Sequence, residues 1–522
     1  MPDSGPGTVS ALRQPPERCD LLVVGGGING CGIARDASGR GMKVLLCEQD
    51  DLAAHTSSAS TKLIHGGLRY LEYYEFGLVR KALQEREVLL DAAPHIMWPL
   101  RFVLPHDSHL RPAWLIRAGL FLYDHLAGRQ RLPGSWKVDL ARHPAGAALD
   151  PRFTTGFEYS DGWVDDARLV VLNAVDARER GATVLTRTRC EELLRDGDGW
   201  RATLRQPHGR TLAVRARAVV NAAGPWAAQF LRDRTPVRSA NGVRLVKGSH
   251  IVVPRMFEHP YAYIFQGPDG RIVFAIPYEQ DFTLVGTTDV DYAGEAAAAA
   301  ITEEETTYLC AAAGRYFRKP VSPHEVVWSF AGLRPLLSDR SADAPSVTRD
   351  YALELDEDGP PMLSVFGGKI TTYRRLAEEA VDKLAKVLHH GARAWTAGVP
   401  LPGGDLAGGD FEAFAAACAR RWPWLPGPMR ARMARAYGSR IDRVVGDASR
   451  VEDLGRAMAP GLHERELGYL LQHEWAGSAD DVLWRRTKLG LRAGPDDAHR
   501  IDDWLAARTT EGLPGPARDR AG

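Results

Sequence analysis

The sequence predicts a multidomain chain of α/β and α+β parts followed by an all-helical C-terminal domain, and three observations point to it. Residues 20–48 run from an apolar strand through a glycine-rich turn and a helix to a second strand ending on an acid. Two further apolar strands, near residues 220 and 365, end in small residues. Beyond a Gly- and Pro-rich segment, helix-period patterns with many Trp and Arg run toward the C-terminus. At 522 residues the chain is too long for one core, and length alone favours roughly two to four domains.

Composition excludes some function classes. Lys+Arg and Asp+Glu are 66 each, which argues against broad electrostatic binding to nucleic acid. Hydrophobic residues at 44% and charged residues at 25% fit a globular chain, not a disordered one. The 52 glycines exceed the average of roughly 7%, so their placement matters. No apolar run reaches the length of about 18 residues that a spanning helix needs. Residues 1–17 lack the apolar stretch of a secretory signal and read as a floppy arm. The six cysteines form no CxxC pair, so reduced, mostly buried thiols and cytosolic exposure are expected.

Taken in order, Leu21 to Val24 form the first strand, an apolar run suited to burial on both faces. Gly25, Gly27 and Gly30 then make G-x-G-x-x-G. Gly25 permits the tight turn, Gly27 lets backbone approach a pyrophosphate, and Gly30 lets the helix pack on the strand. The helix N-terminus offers N–H donors and a positive dipole end to phosphates. Glu48, closing the second strand, is placed to accept from ribose hydroxyls. Strand, turn, helix, strand and acid in order predict a Rossmann-type domain for a dinucleotide, either FAD or NAD.

The next pieces separate those two. A Ser/Thr cluster from Thr56 to Thr61, including Ser57 and Ser60, leads into His65-Gly66-Gly67-Leu68-Arg69-Tyr70. Small hydroxyl residues and glycines suit backbone lying flat on a large planar ligand. Residues 219–225, VVNAAGP, form a buried strand reaching Gly224. Residues 363–375, LSVFGGKITTYRR, run a strand into Gly367-Gly368 and a helix from about Thr371. Such a helix N-terminus would stabilise the negative charge of a reduced flavin ring. A cofactor domain built from these pieces must be discontinuous in sequence.

The segments GGGINGCGIARDASGRG, TSSASTKLIHGGLRYLE, EYSDGWVDDARLV, KGSHIVVP, VGTTDVDY, GLRPL, TRDY and FGGKITTYR together resemble the FAD-dependent glycerol-3-phosphate dehydrogenases of the D-amino-acid-oxidase-like flavoproteins. The resemblance runs from about residue 18 to the C-terminus, where HEWAGSADDVLWRRTKLGL is similar to that family's helical C-terminal domain. It implies FAD as cofactor and an aerobic-type enzyme passing electrons to a membrane quinone at the cytoplasmic face of a bacterial inner membrane. Partners on this reading are glycerol 3-phosphate, quinone, the lipid bilayer and a second copy in a homodimer, with no nucleic acid and no metal. The chain carries no EF-hand loop, unlike the calcium-regulated mitochondrial relatives.

Arg69, His250, Arg334, Arg349 and Lys369 each lie beside glycines or at strand ends. Gathered around one flavin they would make a cationic pocket for a phosphate dianion, with Arg the preferred bidentate donor. The resemblance implies that Arg69 and Tyr70 line the substrate pocket and that Arg334 is the active-site arginine near the hydroxyls. It implies that Arg349 and Lys369 help bind phosphate, and that His250 and Thr287 or Thr288 face the same cavity. The chemistry expected is loss of the C2 hydrogen as hydride to flavin N5 while the hydroxyl loses its proton. His250 is the natural candidate for the base by pKa, and the sequence leaves the identity of the base open.

The domain plan expected is an arm over 1–17, a FAD-binding domain over 18–90, 160–240 and 346–390, and a substrate domain over 91–159 and 241–345. A linker over 391–410 and a helical domain over 411–522 complete it. Within the substrate domain, His250–Val253, Arg271–Ile276 and Phe282–Val285 read as strands of an antiparallel sheet. Residues 110–126 mix Trp, Phe and Leu with Arg111 and Arg117 and suit either a membrane interface or a core helix. Rival activities are an oxidase reducing oxygen with the same substrate and an amine or amino-acid oxidase of the same flavoprotein group. A non-catalytic flavin scaffold is a third.

Overall fold

The computed structural model describes residues 15–128, 131–239, 241–338 and 350–511. Most of the N-terminal arm, and Arg349, lie outside the described residues.

Leu21, Leu22 and Val23 are fully buried, as an apolar strand covered on both faces must be. Their strand, Arg18–Val24, is central in a sheet ordered Ala352–Asp356, Met362–Phe366, Thr211–Asn221, Arg18–Val24, Val44–Cys47, Thr183–Leu185. From Met362–Phe366 onward the neighbours pair in parallel. Ala352–Asp356 closes one edge antiparallel, and Arg189–Asp196 with Gly199–Arg205 adds an antiparallel hairpin. Leu21, Val23, Val44 and Leu46 face the helices Ile28–Gly39, Asp166–Glu179 and Tyr373–Val387. Leu22, Val24, Leu45 and Cys47 face Trp200 and Phe230 on the other side.

The second sheet has ten strands. The expected strands sit inside longer ones, Gly242–Pro254, Ile272–Tyr278 and Phe282–Gly286, paired antiparallel. Wholly antiparallel is wrong in one place: Ala262–Gln266 runs parallel to Met97–Pro105. Alternation reports which face a residue takes, not strand direction, and the long excursion between these strands supplies the crossover that parallel pairing requires. Trp328–Ser338 pairs with Gly242–Pro254 along its length and brings Phe330 opposite His250.

The C-terminal region folds around its own core, including Trp422, Met433, Met458, Leu467 and Trp504. It is helical except for a small hairpin, Ala457–Ala459 with Leu462–His463. The all-helical expectation missed this because its signal is only a Pro460-Gly461 turn, with Gly461 at φ +75°. Buried ion pairs bind this region to the flavin side. Arg168 pairs with Glu474 and donates to the Ala436 carbonyl at 2.8 Å. Arg486 holds Asp51 through two hydrogen bonds of 2.5 and 2.8 Å. Within 391–410, Leu401 and Leu406 are buried, and Leu401 N–H donates to the Ala92 carbonyl at 2.8 Å. All six cysteines are buried and free of disulfides.

Candidate active site

A cleft of about 570 Å³ opens where the first sheet meets the second. At one end lies the glycine turn. Gly25 sits at φ +114° with its N–H donating to the Cys47 carbonyl at 2.9 Å, a left-handed conformation that favours glycine. A Cβ on Gly30 would collide with the Gly25 carbonyl oxygen, so the helix rests directly on the turn. Gly27 caps the helix Ile28–Gly39, whose Ile28 N–H donates to Ser57 Oγ at 3.0 Å. Glu48 Oε2 accepts from Gly26 N–H at 2.6 Å and Oε1 from Asp50 N–H at 2.8 Å. Burial pushes the Glu48 carboxyl up from its ordinary value, and those two donors oppose the shift.

The middle of the cleft is lined by Thr56, Ser57, Ser60, Gly224, Gly367 and Gly368. Thr56 Oγ1 donates to the Leu333 carbonyl at 2.8 Å. Ser60 Oγ donates to Asp166 Oδ2 at 2.7 Å, so this hydroxyl holds its own loop in place. Gly367 and Gly368 have φ +76° and +101°, and Gly367 accepts from Asn29 Nδ2 at 3.2 Å. Thr371 stands behind, its Oγ1 accepting from His65 N–H at 3.2 Å. Gly66 and Gly67 do not line the cleft. Gly66 N–H donates to Tyr123 Oη at 2.8 Å, and a Cβ there would strike Leu83. Gly67 at φ +77° starts the 3-10 turn Leu68–Tyr73. Their lack of a side chain serves helix packing and a turn.

Arg334, His250 and Lys369 also line the cleft. Arg334 Nη1 donates to Asp289 Oδ1 and Nη2 to Thr287 Oγ1, both at 3.1 Å. Thr288 points the other way, donating to Glu305 at 2.8 Å, so Thr287 is the threonine on the Arg334 side. Lys369 Nζ stands 4.0 Å from the centre of the Tyr70 ring, a favourable cation–π placement. Arg69 shares the Tyr70 turn but does not line the cleft, and its Nε is buried without a partner among the described residues. His250 stacks on Phe330 at 4.8 Å and 14°, and its Nε2 hydrogen bonds with Thr61 Oγ1 at 3.0 Å. Burial, then Arg334, then Lys62 hold the His250 imidazole well below its ordinary pKa, which leaves it neutral at rest.

Asn29, Thr61 and His65 also line the cleft. They stood inside the motifs, but nothing in residue type alone set them apart. Asn29 Oδ1 is buried with no partner among the described residues, an acceptor left open there.

A family model described as FAD dependent oxidoreductase matches residues 20–374. The chain belongs to that family. A second model, described as the C-terminal domain of alpha-glycerophosphate oxidase, matches residues 394–510. A glycerol-3-phosphate dehydrogenase of Pseudomonas aeruginosa is 53% identical over 93% of this chain and 94% of its own. A D-erythritol 1-phosphate dehydrogenase of Brucella abortus is 52% identical over 94% and 98%. The glycerol-3-phosphate dehydrogenase of Bacillus halodurans, solved in complex with FAD, superposes with a TM-score of 0.74 at 26% identity, covering 98% of each chain.

The cofactor of this FAD-dependent oxidoreductase is FAD, and the residues present fit it. Gly27, whose added Cβ would meet only Ser57 Oγ, lines the cleft at the helix N-terminus, Glu48 stands at the end of the second strand, and Asn29 Oδ1, unpartnered among the described residues, borders the same space.

Proposed function

We propose that the protein oxidises the C2 hydroxyl of sn-glycerol 3-phosphate, giving dihydroxyacetone phosphate, and passes the electrons to a membrane quinone. The observation that carries this reading is that Arg334, Lys369 and His250 line the same cleft as the glycine turn. Two cations suit a phosphate dianion, and a neutral buried imidazole suits the proton of a secondary alcohol. FAD, when bound, supplies the two-electron acceptor for the C2 hydride. His250 takes the hydroxyl proton. Arg334, held by Asp289 and Thr287, stabilises the oxygen as that proton leaves, and Lys369 binds the phosphate. Asn29, His65 and the backbone around Gly367, which line the cleft, would hold FAD there.

Because the Brucella relative is almost as similar as the Pseudomonas one, a longer polyol phosphate is the second reading. Anaerobic titration decides between them. Glycerol 3-phosphate is expected to bleach the yellow holoenzyme at lower concentration than D-erythritol 1-phosphate, and glycine is expected to leave it oxidised. The reverse order would reassign the substrate. Faster reoxidation by a quinone analogue than by dissolved oxygen separates dehydrogenase from oxidase.

Two features support the acceptor and its location. A second cavity of about 400 Å³, lined by Trp226, Trp328, Phe330 and Trp484, shares His55 and Thr56 with the cleft and suits a flat aromatic acceptor. On the surface, the helix Ala113–His125 buries Leu120 and Tyr123 but leaves Trp114 72% and Phe121 56% exposed. Beside it Tyr73, Tyr74 and Phe76 are also exposed, and Arg111 pairs with Glu72 across the gap. For 110–126 the sequence suited either a membrane interface or a core helix; one helix carries an inward face of Leu120 and Tyr123 and an exposed face of Trp114 and Phe121. An apolar patch with basic neighbours suits the inner face of the cytoplasmic membrane. Among the described residues no helix is long and apolar enough to cross a membrane.

A further inference from the structure

Lys62 is an unusual residue to find inside a flavin loop. It is 1% exposed, has φ +60°, and belongs to none of the groups assigned above. Its Nζ donates to Asp166 Oδ1 at 2.7 Å and to the Ser58 carbonyl at 3.1 Å. Asp166 opens the helix Asp166–Glu179, and its other oxygen holds Ser60. The ammonium also stands over the Phe330 ring, 5.2 Å from its centre. Phe330 is the ring on which His250 stacks, and the residue before Lys62, Thr61, hydrogen bonds to His250. A solvated lysine would serve none of these contacts. Burying an ammonium is costly unless it is paired, so the Asp166 pair is what keeps this charge in place.

We propose that Lys62 is a positioning residue for His250, whose ammonium, clamped by Asp166 against Phe330, keeps the imidazole seated and uncharged for proton acceptance. The inference rests on the reading of His250 as the base. Around the imidazole the charged groups are Arg334 with its partner Asp289, from the strand Trp328–Ser338 and the loop after Gly286, and Lys62 with Asp166 behind it. The strand Phe282–Gly286 presents Gly286, whose missing Cβ makes room for the ring. Phe330 forms the remaining wall. Two cations therefore flank the histidine. Arg334 is committed to substrate on the proposed mechanism, whereas Lys62 is walled off from it. The Lys62 charge thus persists when substrate phosphate neutralises the cleft, and it keeps the resting imidazole free of a solvent proton until the substrate hydroxyl delivers its own.

The test compares Lys62→Met and Lys62→Arg with wild type in anaerobic flavin reduction by glycerol 3-phosphate as a function of pH. Lys62→Met is expected to move the acid limb of kcat/KM upward by roughly half a pH unit or more, and Lys62→Arg to restore it. Should Lys62→Met not fold, the double variant Lys62→Met/Asp166→Asn, which leaves no unpaired buried charge, carries the same expectation. A second readout needs no turnover. The His250 Cε1 resonance, assigned by its loss in His250→Asn, is expected to titrate at higher pH without Lys62. An acid limb and a resonance both unmoved, with Lys62→Arg as impaired as Lys62→Met, would overturn the proposal and leave Lys62 a structural clamp. His250→Asn keeping the wild-type acid limb would instead remove His250 as the base, and the resonance alone would then decide the role of Lys62.

Discussion

At the scale of single residues the site depends on where atoms are absent as much as on where they are present. Gly30 touches the Gly25 carbonyl so closely that no Cβ fits. Gly30→Ala is therefore expected to push the helix Ile28–Gly39 off the turn, at roughly 1–3 kcal/mol of overpacking strain. FAD content measured by absorbance should drop sharply, more than the thermal midpoint. Arg334 illustrates the opposite case. Its guanidinium is held on two sides, by Asp289 and Thr287, and lines the cleft. Arg334→Ala should lower kcat/KM by two or more orders of magnitude, roughly 3 kcal/mol of lost transition-state stabilisation, while FAD stays bound. Near-normal turnover in that variant would remove Arg334 from the chemistry. Both residues were legible in the sequence because each sits in a short motif with one dominant physical use. Lys62 and Asp166 were not. They are far apart in the chain, and only their 2.7 Å contact gives either a meaning.

At the scale of elements, the helix Ala113–His125 is the informative case. Its periodicity left a core helix and an interfacial helix equally acceptable, because an apolar face looks the same whichever surface covers it. In the structure Leu120 and Tyr123 pack inward while Trp114, Phe121 and Leu122 stay exposed. Trp114→Ser/Phe121→Ser is expected to reduce co-sedimentation with vesicles containing anionic lipid several-fold, roughly 1–3 kcal/mol of lost apolar burial. Reduction of a water-soluble dye should remain unchanged. Undiminished sedimentation would move the docking surface elsewhere. The second sheet teaches a related lesson. Alternation located Gly242–Pro254 and Phe282–Gly286, yet the parallel pair of Ala262–Gln266 with Met97–Pro105 was invisible, since partner choice and direction are long-range properties.

The whole molecule is held together by buried polar contacts between units that are distant in sequence. Arg168, on a helix of the flavin side, is enclosed by Glu474 and the Ala436 carbonyl of the C-terminal region. Removing one partner of such a pair leaves a buried charge uncompensated, at about 3–5 kcal/mol. Arg168→Met should therefore lower the thermal midpoint and expose the C-terminal region to protease first. Loss of cleavage selectivity would argue that the two regions unfold as one. Acid should loosen the molecule as a whole. Burial holds His65, His250, His463 and His473 below their ordinary values, His259 at about 4 and His95 at about 3. Below about pH 6.5 the unfolded chain takes up protons that the folded chain refuses, so stability is full above that value and falls as pH drops toward the folded pKa values. The slope is about 1.4 kcal/mol per pH unit for each such proton. Melting curves between pH 7.5 and about 5 should show this fall, and His95→Phe should flatten it. His95 is the sharpest case, fully buried with neither ring nitrogen partnered among the described residues. A melting temperature constant across that range would contradict it.

The sequence by itself determined the glycine turn, the Thr56, Ser57 and Ser60 hydroxyls and the Gly367-Gly368 pair that line the cleft, and the family resemblance. These are local features, in which a few neighbouring residues have one physical use. The tertiary structure alone decided which cations converge. It placed Arg334, His250 and Lys369 on one cleft and set Thr287, not Thr288, against Arg334. It turned Gly66 and Gly67 to packing and fixed Lys62 behind Phe330. A net charge of zero could not report that convergence. Charge counts add over the chain, whereas the field in a cleft depends on which charges the fold brings within a few ångströms and shields from water.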